Sequence, residues 1–253
     1  MVWPLPRTRP GAHVRWLVLL LAVSVSLPAF GGAEAPRAVS RGPAAGLGSA
    51  PSAPVRARHG MVGSTEVHAS QVGIDVLKRG GNAIDAAVAV GFTLAVTHPA
   101  AGNIGGGGFM LIRLADGRTT AIDYREMAPA KASRDMFLDA QGNVVAERSR
   151  IGPLAAGVPG SVAGLVYAQK KYGRLSLAEL VQPAIDLAEQ GFVVSEALAH
   201  SLSNAKARLE KFPASARVFL TNGRPYAAGD RLIQEDLART LRHIAKRGAD
   251  GFY

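Results

Sequence analysis

Between Ile122 and Pro129 the chain reads IDYREMAP, and three charged side chains, Asp123, Arg125 and Glu126, close a run that is otherwise apolar. If that run is a strand, Arg125 projects to the same face as Asp123 and opposite to Tyr124 and Glu126. A guanidinium so placed can hold a carboxylate through two parallel charge-assisted hydrogen bonds, which fixes a ligand's orientation as well as its charge. The same residues allow a structural ion pair of Arg125 with Asp123 or Glu126. Chemistry alone favours that plainer outcome, because ion pairs near strand ends are common.

Other segments that could do chemistry fail on spacing. Gly105 to Gly108 suggest a phosphate loop, but Met110 or Leu111 stands where G-x-G-x-x-G needs its third glycine, and no G-K-[ST] follows. The local order is helix, glycines, strand, whereas a phosphate cradle needs a helix N-terminus after the glycines. The glycines are better read as permitting close packing that a Cβ would forbid. Pro159-Gly160-Ser161-Val162-Ala163-Gly164 lacks the flanking glycines of a G-x-S-x-G elbow, so Ser161 reads as part of a helix N-terminus. His59, His68, His98, His200 and His243 show neither H-E-x-x-H nor acids at ligand spacing, so neither a metal site nor a cofactor is expected. The chain has no cysteine, which excludes disulfides, thiolate metal sites and cysteine nucleophiles together.

The elements that must position Arg125 are legible from punctuation and periodicity. A helix starts near Glu66 and ends at Gly80-Gly81. Asn82, with Asp85 three residues on, caps a second helix, Ala83 to Val96, that is apolar nearly all round and so buried, with a sheet as its expected partner. Phe109 to Leu114 and Thr119 to Glu126, joined across Asp116-Gly117, read as a β-hairpin with Arg125 at the end of its second strand. Four more helices follow. They span Ser161 to Lys171, Leu177 to Gln190 with a Ser176/Glu179 capping box, Glu196 to about Lys211, and Gln234 to Arg247. Pro183 is expected to kink or interrupt the second of these.

The N-terminus has a different character. Arg7, Arg9 and Arg15 precede or open an apolar run that ends at Pro28, and Gly31, Gly32 and Ala33 follow, the order of a secretory signal peptide over residues 1–33. From Trp16 to Leu27 the run falls short of the roughly 20 residues that span a bilayer, so no stable membrane anchor is expected. Residues 34–58 are rich in Ala, Pro, Gly and Ser without apolar periodicity, as in a flexible linker. Of the formal charge of +10, only +4 belongs to His59 onward, where 22 basic and 18 acidic residues are scattered without a basic stripe; no nucleic-acid partner is expected. An exported chain without cysteines points to a bacterial periplasm or secretion.

Taken over its length, the segment from HGMVGSTEVHASQVGIDVLKRGGNAIDAAVAVGFTLAVTHPAAGNIGGGGFMLIRLADG through TTAIDYREMAPAKASRDMF resembles the N-terminal region of gamma-glutamyltranspeptidases. The likeness continues through GVPGSVAG, YGRLSLAELVQPAIDLAEQGF and GADGFY, covering His59 to Tyr253 as long motifs in the family's order.

The resemblance implies an α/β fold, here a partial αββα sandwich of the N-terminal nucleophile hydrolase type, mainly its helical layer and one β-hairpin. It implies a proenzyme that cleaves itself into two subunits, and a freed N-terminal threonine that attacks the gamma-glutamyl amide of glutathione or a related donor. The acyl group then passes to water or an amine. It maps the arginine for the donor's alpha-carboxylate onto Arg125, with Glu126 as a weaker supporting neighbour. The threonine and oxyanion glycines of the family pattern match no residue among these 253, so no catalytic residue is assigned here. Residues 59–253 are accordingly expected to be a partial large-subunit region, inactive alone and partnered by a missing C-terminal half or small subunit. Two other readings stay open: a glutaryl-type acylase, and a non-catalytic periplasmic remnant or binding module.

Overall fold

Asn82 and Asp85 start a helix against which three other helices pack. In the computed structural model, which describes residues 55–253, the Asn82 side chain accepts from the amides of Ile84 and Asp85, while Asp85 accepts from the Asn82 amide at 2.9 Å. The signal peptide expected over residues 1–33, and nearly all of the linker expected over 34–58, lie outside the described residues. His59–Tyr253 fall in one unit by their internal contacts.

Helix α1 spans Val67–Lys78 and α2 spans Ala83–Thr97. Asp85 is fully buried and also accepts from the backbone of Arg174 and Leu175, so one carboxylate both starts α2 and ties it to a loop far along the chain. Burial of the Thr93 and Thr97 hydroxyls is tolerated because each donates to the carbonyl four residues back.

After α2 come two antiparallel strands, β1 (Phe109–Arg113) and β2 (Thr119–Asp123), with Phe109 opposite Asp123 and Arg113 opposite Thr119. Their turn is closed by the Leu114 amide donating to Arg118, and Gly117 takes φ +83°, a value suited to glycine. Ile112 and Ile122 turn inward to the core, whereas Phe109 and Leu111 on the other face are 64% and 85% exposed.

Helices α3 (Ser161–Tyr172) and α4 (Leu177–Gln190) follow. α3 packs against both α2 and β2. The Ser176/Glu179 capping box forms as expected, and Gly191 ends α4 with φ +74°. Pro183 does not interrupt α4. Leu180, Val181, Ala184, Ile185 and Ala188 are all buried on either side of it, and that packing outweighs the one backbone bond a proline removes.

The remainder runs β3 (Phe192–Val193), α5 (Glu196–Leu209), α6 (Pro213–Phe219), β4 (Leu220–Thr221), β5 (Arg224–Pro225), β6 (Arg231–Leu232) and α7 (Glu235–Arg247). β3 pairs with β6 and β4 with β5 as two-residue ribbons. α7 packs on α4, and buried Gln234 at its start donates to the Val96 carbonyl at the end of α2.

Helix α2 is therefore enclosed chiefly by helices α1, α3 and α4, not by the sheet expected of it. An all-round apolar pattern says that a helix is buried but not by what. Mixed helices and short strands, with one helical layer on the inner face of a hairpin, give the α/β class and the partial sandwich. Among the described residues no helix is long and apolar enough to cross a membrane.

Candidate functional site

Strand β2 ends one residue short of Tyr124, so Arg125 lies just beyond the strand and not in it. Tyr124 still exchanges backbone hydrogen bonds with Gly108, at 3.0 and 3.4 Å, so the next rung of the ladder would pair Glu126 with Gly106. The Gly106 carbonyl accepts instead from the amides of Gly160 and Ser161, and the ladder stops. Arg125 falls between rungs, and its amide donates to the Asp123 side chain at 3.0 Å. The chain is picked up again at Met127, which exchanges two backbone bonds with Val158 at 2.8 and 3.1 Å.

The expected alternation of faces nevertheless persists through the segment: Ile122 and Tyr124 turn inward, Asp123 and Arg125 outward. Among the described residues the Arg125 guanidinium makes no ion pair; Asp123 engages its backbone, and Glu126 is exposed. Arg125 borders two cavities, of about 440 and 650 Å3. The first is walled by Tyr124, Pro159, Gly160, Tyr167 and Tyr253, the second by Glu126, Met127, Pro129 and Phe137.

Glycines hold this segment in place. A Cβ on Gly160 would fall 1.9 Å from the Tyr124 carbonyl oxygen, and one on Gly164 would fall 2.2 Å from Tyr124 Cγ. At Gly107 it would meet the Tyr124 carbonyl oxygen at 2.6 Å, and at Gly157 the Glu126 Cβ at 2.9 Å. Residues 124–126 thus lie in a cradle of backbone from two separate glycine-rich segments. Tyr124 is half-buried there, and burial pushes its phenol above its ordinary pKa. The run Gly105–Gly108 belongs to that packing: the amides of Gly160 and Ser161, at the start of α3, donate to the Gly106 carbonyl at 2.8 and 2.9 Å. Ser161 is the first residue of α3 and is buried, which fits a helix start.

Sequence reasoning singled out Arg125 and Glu126 and read Gly105 to Gly108 as packing glycines, but did not find the second wall of the cradle. A signal was present in the spacing of Gly157, Gly160 and Gly164, which places three residues without side chains along one approach of loop and helix. Chemically the arrangement offers a cation on a fixed backbone, open to solvent, with cavity on either side. Among the described residues no group of three or more His, Asp and Glu could hold a metal ion.

Comparison with known proteins places this geometry among relatives. A family model described as Gamma-glutamyltranspeptidase matches residues 69–253. The chain is 56% identical over 201 residues to the glutathione hydrolase proenzyme of Escherichia coli strain K12, covering 79% of this chain and 35% of that protein. It is 43% identical over 206 residues to the acylase ACY 1 proenzyme of Pseudomonas sp. strain V22, covering 79% and 37% respectively. The crystal structure of Helicobacter pylori gamma-glutamyltranspeptidase superposes with a TM-score of 0.78 at 51% identity, covering 79% of this chain and 58% of that one. The chain therefore spans about a third of the length of the curated relatives it matches.

Proposed function

The chain belongs to the gamma-glutamyltranspeptidase family, and from that premise we propose that it supplies the donor-carboxylate subsite of an enzyme that transfers a gamma-glutamyl group from glutathione or a similar donor to water or an amine. The observation that carries this reading is Arg125 itself. Its backbone is locked by the Asp123 side chain and the glycine cradle, while its guanidinium is unpaired among the described residues. A structural arginine would spend its charge on a neighbouring acid; a ligand-binding one is held by its main chain and kept free at its head.

In this reading Glu126 supports the site from the second cavity, and the nucleophile and oxyanion donors come from protein beyond these 253 residues. The open face of the hairpin is where that protein packs. Residues 1–33 direct export to a bacterial periplasm or beyond and are removed, with 34–58 as a tether; N-terminal sequencing of the exported protein tests this, and an intact Met1 overturns it.

The experiment for Arg125 uses a precursor extended to the length of the relatives. Arg125→Lys keeps the charge but loses the two-pronged grip, and Arg125→Ala loses both. A charge-assisted hydrogen bond contributes about 1.5 to 3 kcal/mol, so each lost contact weakens donor use by roughly ten- to a hundredfold. The acceptor is affected far less, and a donor analogue without the alpha-carboxylate is nearly indifferent to the substitution. Equal losses for both donors, or loss of folding in both variants, would return Arg125 to a structural role. The acylase relative gives the second reading a footing, a glutaryl-type amide whose distal carboxylate Arg125 would hold equally well. Deleting the donor's alpha-amino group separates the two: a gamma-glutamyl enzyme loses activity and a glutaryl acylase gains it.

A further inference from the structure

Helix α3 has no side-chain cap at its N-terminus, where Gly160 stands in the capping position. The amides of Gly160 and Ser161 are satisfied by the Gly106 carbonyl, and Gly164 makes the first bond back to Gly160, which leaves the Val162 and Ala163 amides without a carbonyl of the first turn to donate to. The Tyr253 phenol oxygen, 90 residues away in sequence, accepts from the Ala163 amide at 3.4 Å and donates its own proton to the Pro159 carbonyl at 2.6 Å. Its ring is held edge-on by Phe252, with centroids 5.0 Å apart.

This phenol fixes the turn that grips the arginine. Val158, next to Pro159, exchanges both backbone bonds with Met127, and Gly160 seats the Tyr124 carbonyl. The peptide of Arg125 is thus held on both sides by the one turn that Tyr253 pins, and Tyr253 also walls the cavity that Arg125 borders. Resting on the donor-carboxylate reading of Arg125, we infer that Tyr253 is a positioning residue for donor recognition: its hydroxyl, by bridging Pro159 and Ala163, sets where the Arg125 guanidinium stands.

The test is Tyr253→Phe, which keeps the ring and its packing on Phe252 and removes only the hydroxyl, made alone and together with Arg125→Ala in a precursor extended to the length of the relatives. Donor KM is expected to rise about two- to tenfold, the loss expected for one neutral hydrogen bond, with kcat within about twofold. Acceptor KM stays unchanged, and so does KM for a donor analogue lacking the alpha-carboxylate. In the Arg125→Ala background Tyr253→Phe adds nothing, because the two act through one contact. An unchanged donor KM beside a clear Arg125 effect overturns this inference alone. So does a uniform fall in kcat for both donors, or an effect that adds fully to Arg125→Ala. If Arg125→Ala itself leaves donor KM untouched, the donor-site reading fails and this inference falls with it.

Discussion

Gly164→Ala sets one methyl group against the cradle. The added Cβ would lie 2.2 Å from Tyr124 Cγ, 2.4 Å from its Cβ and 2.6 Å from its Cδ1, where ordinary contact begins at 3.4 Å. The ring would have to retreat by about 1 Å, yet its far side already lies near Gly108, where a Cβ would come within 3.0 Å of Cε2. Overpacking of this kind costs about 1 to 3 kcal/mol. Against it stands the gain of alanine over glycine inside a helix, about 1 kcal/mol. The overlap is with stiff atoms at the root of the side chain, which puts overpacking at the upper end of its range, and a net loss of about 2 kcal/mol is expected. In a mature enzyme made from a precursor extended to the relatives' length, that lowers Tm by a few degrees. Because the Tyr124 main chain leads into Arg125, donor KM rises in the same variant. Adding Tyr124→Gly, which removes the Cβ as well as the ring, removes the clash and reverses the sign: the double variant is more stable than Tyr124→Gly alone, by roughly the helix-propensity gain. A single variant with unchanged Tm and donor KM, or a double variant less stable than Tyr124→Gly, would refute the cradle.

The α4 cap predicts a pH dependence. Glu179 is held below its ordinary pKa of 4.5 by hydrogen bonds from the Ser176 hydroxyl and amide, so its contribution is present above that value and is lost as pH falls through the lower folded-state pKa. Amide exchange in α4 should therefore distinguish the parent from Glu179→Gln at neutral pH and cease to do so in acid; a gap that widens in acid contradicts the assignment. The hairpin predicts opposite outcomes for Leu111→Lys in two settings. In the 253-residue chain, where Leu111 is 85% exposed, stability changes by no more than about 0.5 kcal/mol while binding of a hydrophobic dye falls. In an extended precursor the same change blocks assembly of the mature enzyme, and undiminished maturation would mean that nothing covers this face.

Helix boundaries were legible because their causes are local. Asn82 with Asp85, Ser176 with Glu179, Gly191 and Gly248 act within one turn of the ends they set, and the structure places caps at each. What lay between elements was less legible. The partners of α2 are decided by packing across the chain, and α6 and the two-residue ribbons are too short for a periodicity to show. Pro183 does not interrupt α4, an outcome that intrinsic propensity leaves open and the five buried neighbours that hold the helix together decide. Arg125 was singled out from residue type and placement, and given a ligand only by the family resemblance; the end of its strand was misplaced by three residues, because the Gly106 carbonyl that would continue the ladder is taken by the start of α3. Gly105 to Gly108 were legible as packing glycines, but not that Tyr124 is what they pack on, because the glycines that touch it come from segments 16 to 40 residues away in sequence.

If Arg125 binds a donor carboxylate, its placement also bears on why that site should share a surface with an unpartnered sheet face. Phe109 lies opposite Asp123 in the hairpin, so Phe109, Leu111, Asp123 and Arg125 look out on one side. A guanidinium exposed to water gains little from a carboxylate, about 0 to 1 kcal/mol, because solvent screens the pair. The same contact in a site from which water is excluded is worth about 1.5 to 3 kcal/mol. Covering the apolar residues beside Arg125 would therefore do two things at once: it would remove hydrophobic surface from water, and it would lower the dielectric around the Arg125 guanidinium. On the donor-carboxylate reading, assembly and substrate affinity are then properties of a single surface. The glycine cradle explains how the arginine can be set in position before that surface is covered, because every contact that fixes its backbone lies within His59–Tyr253.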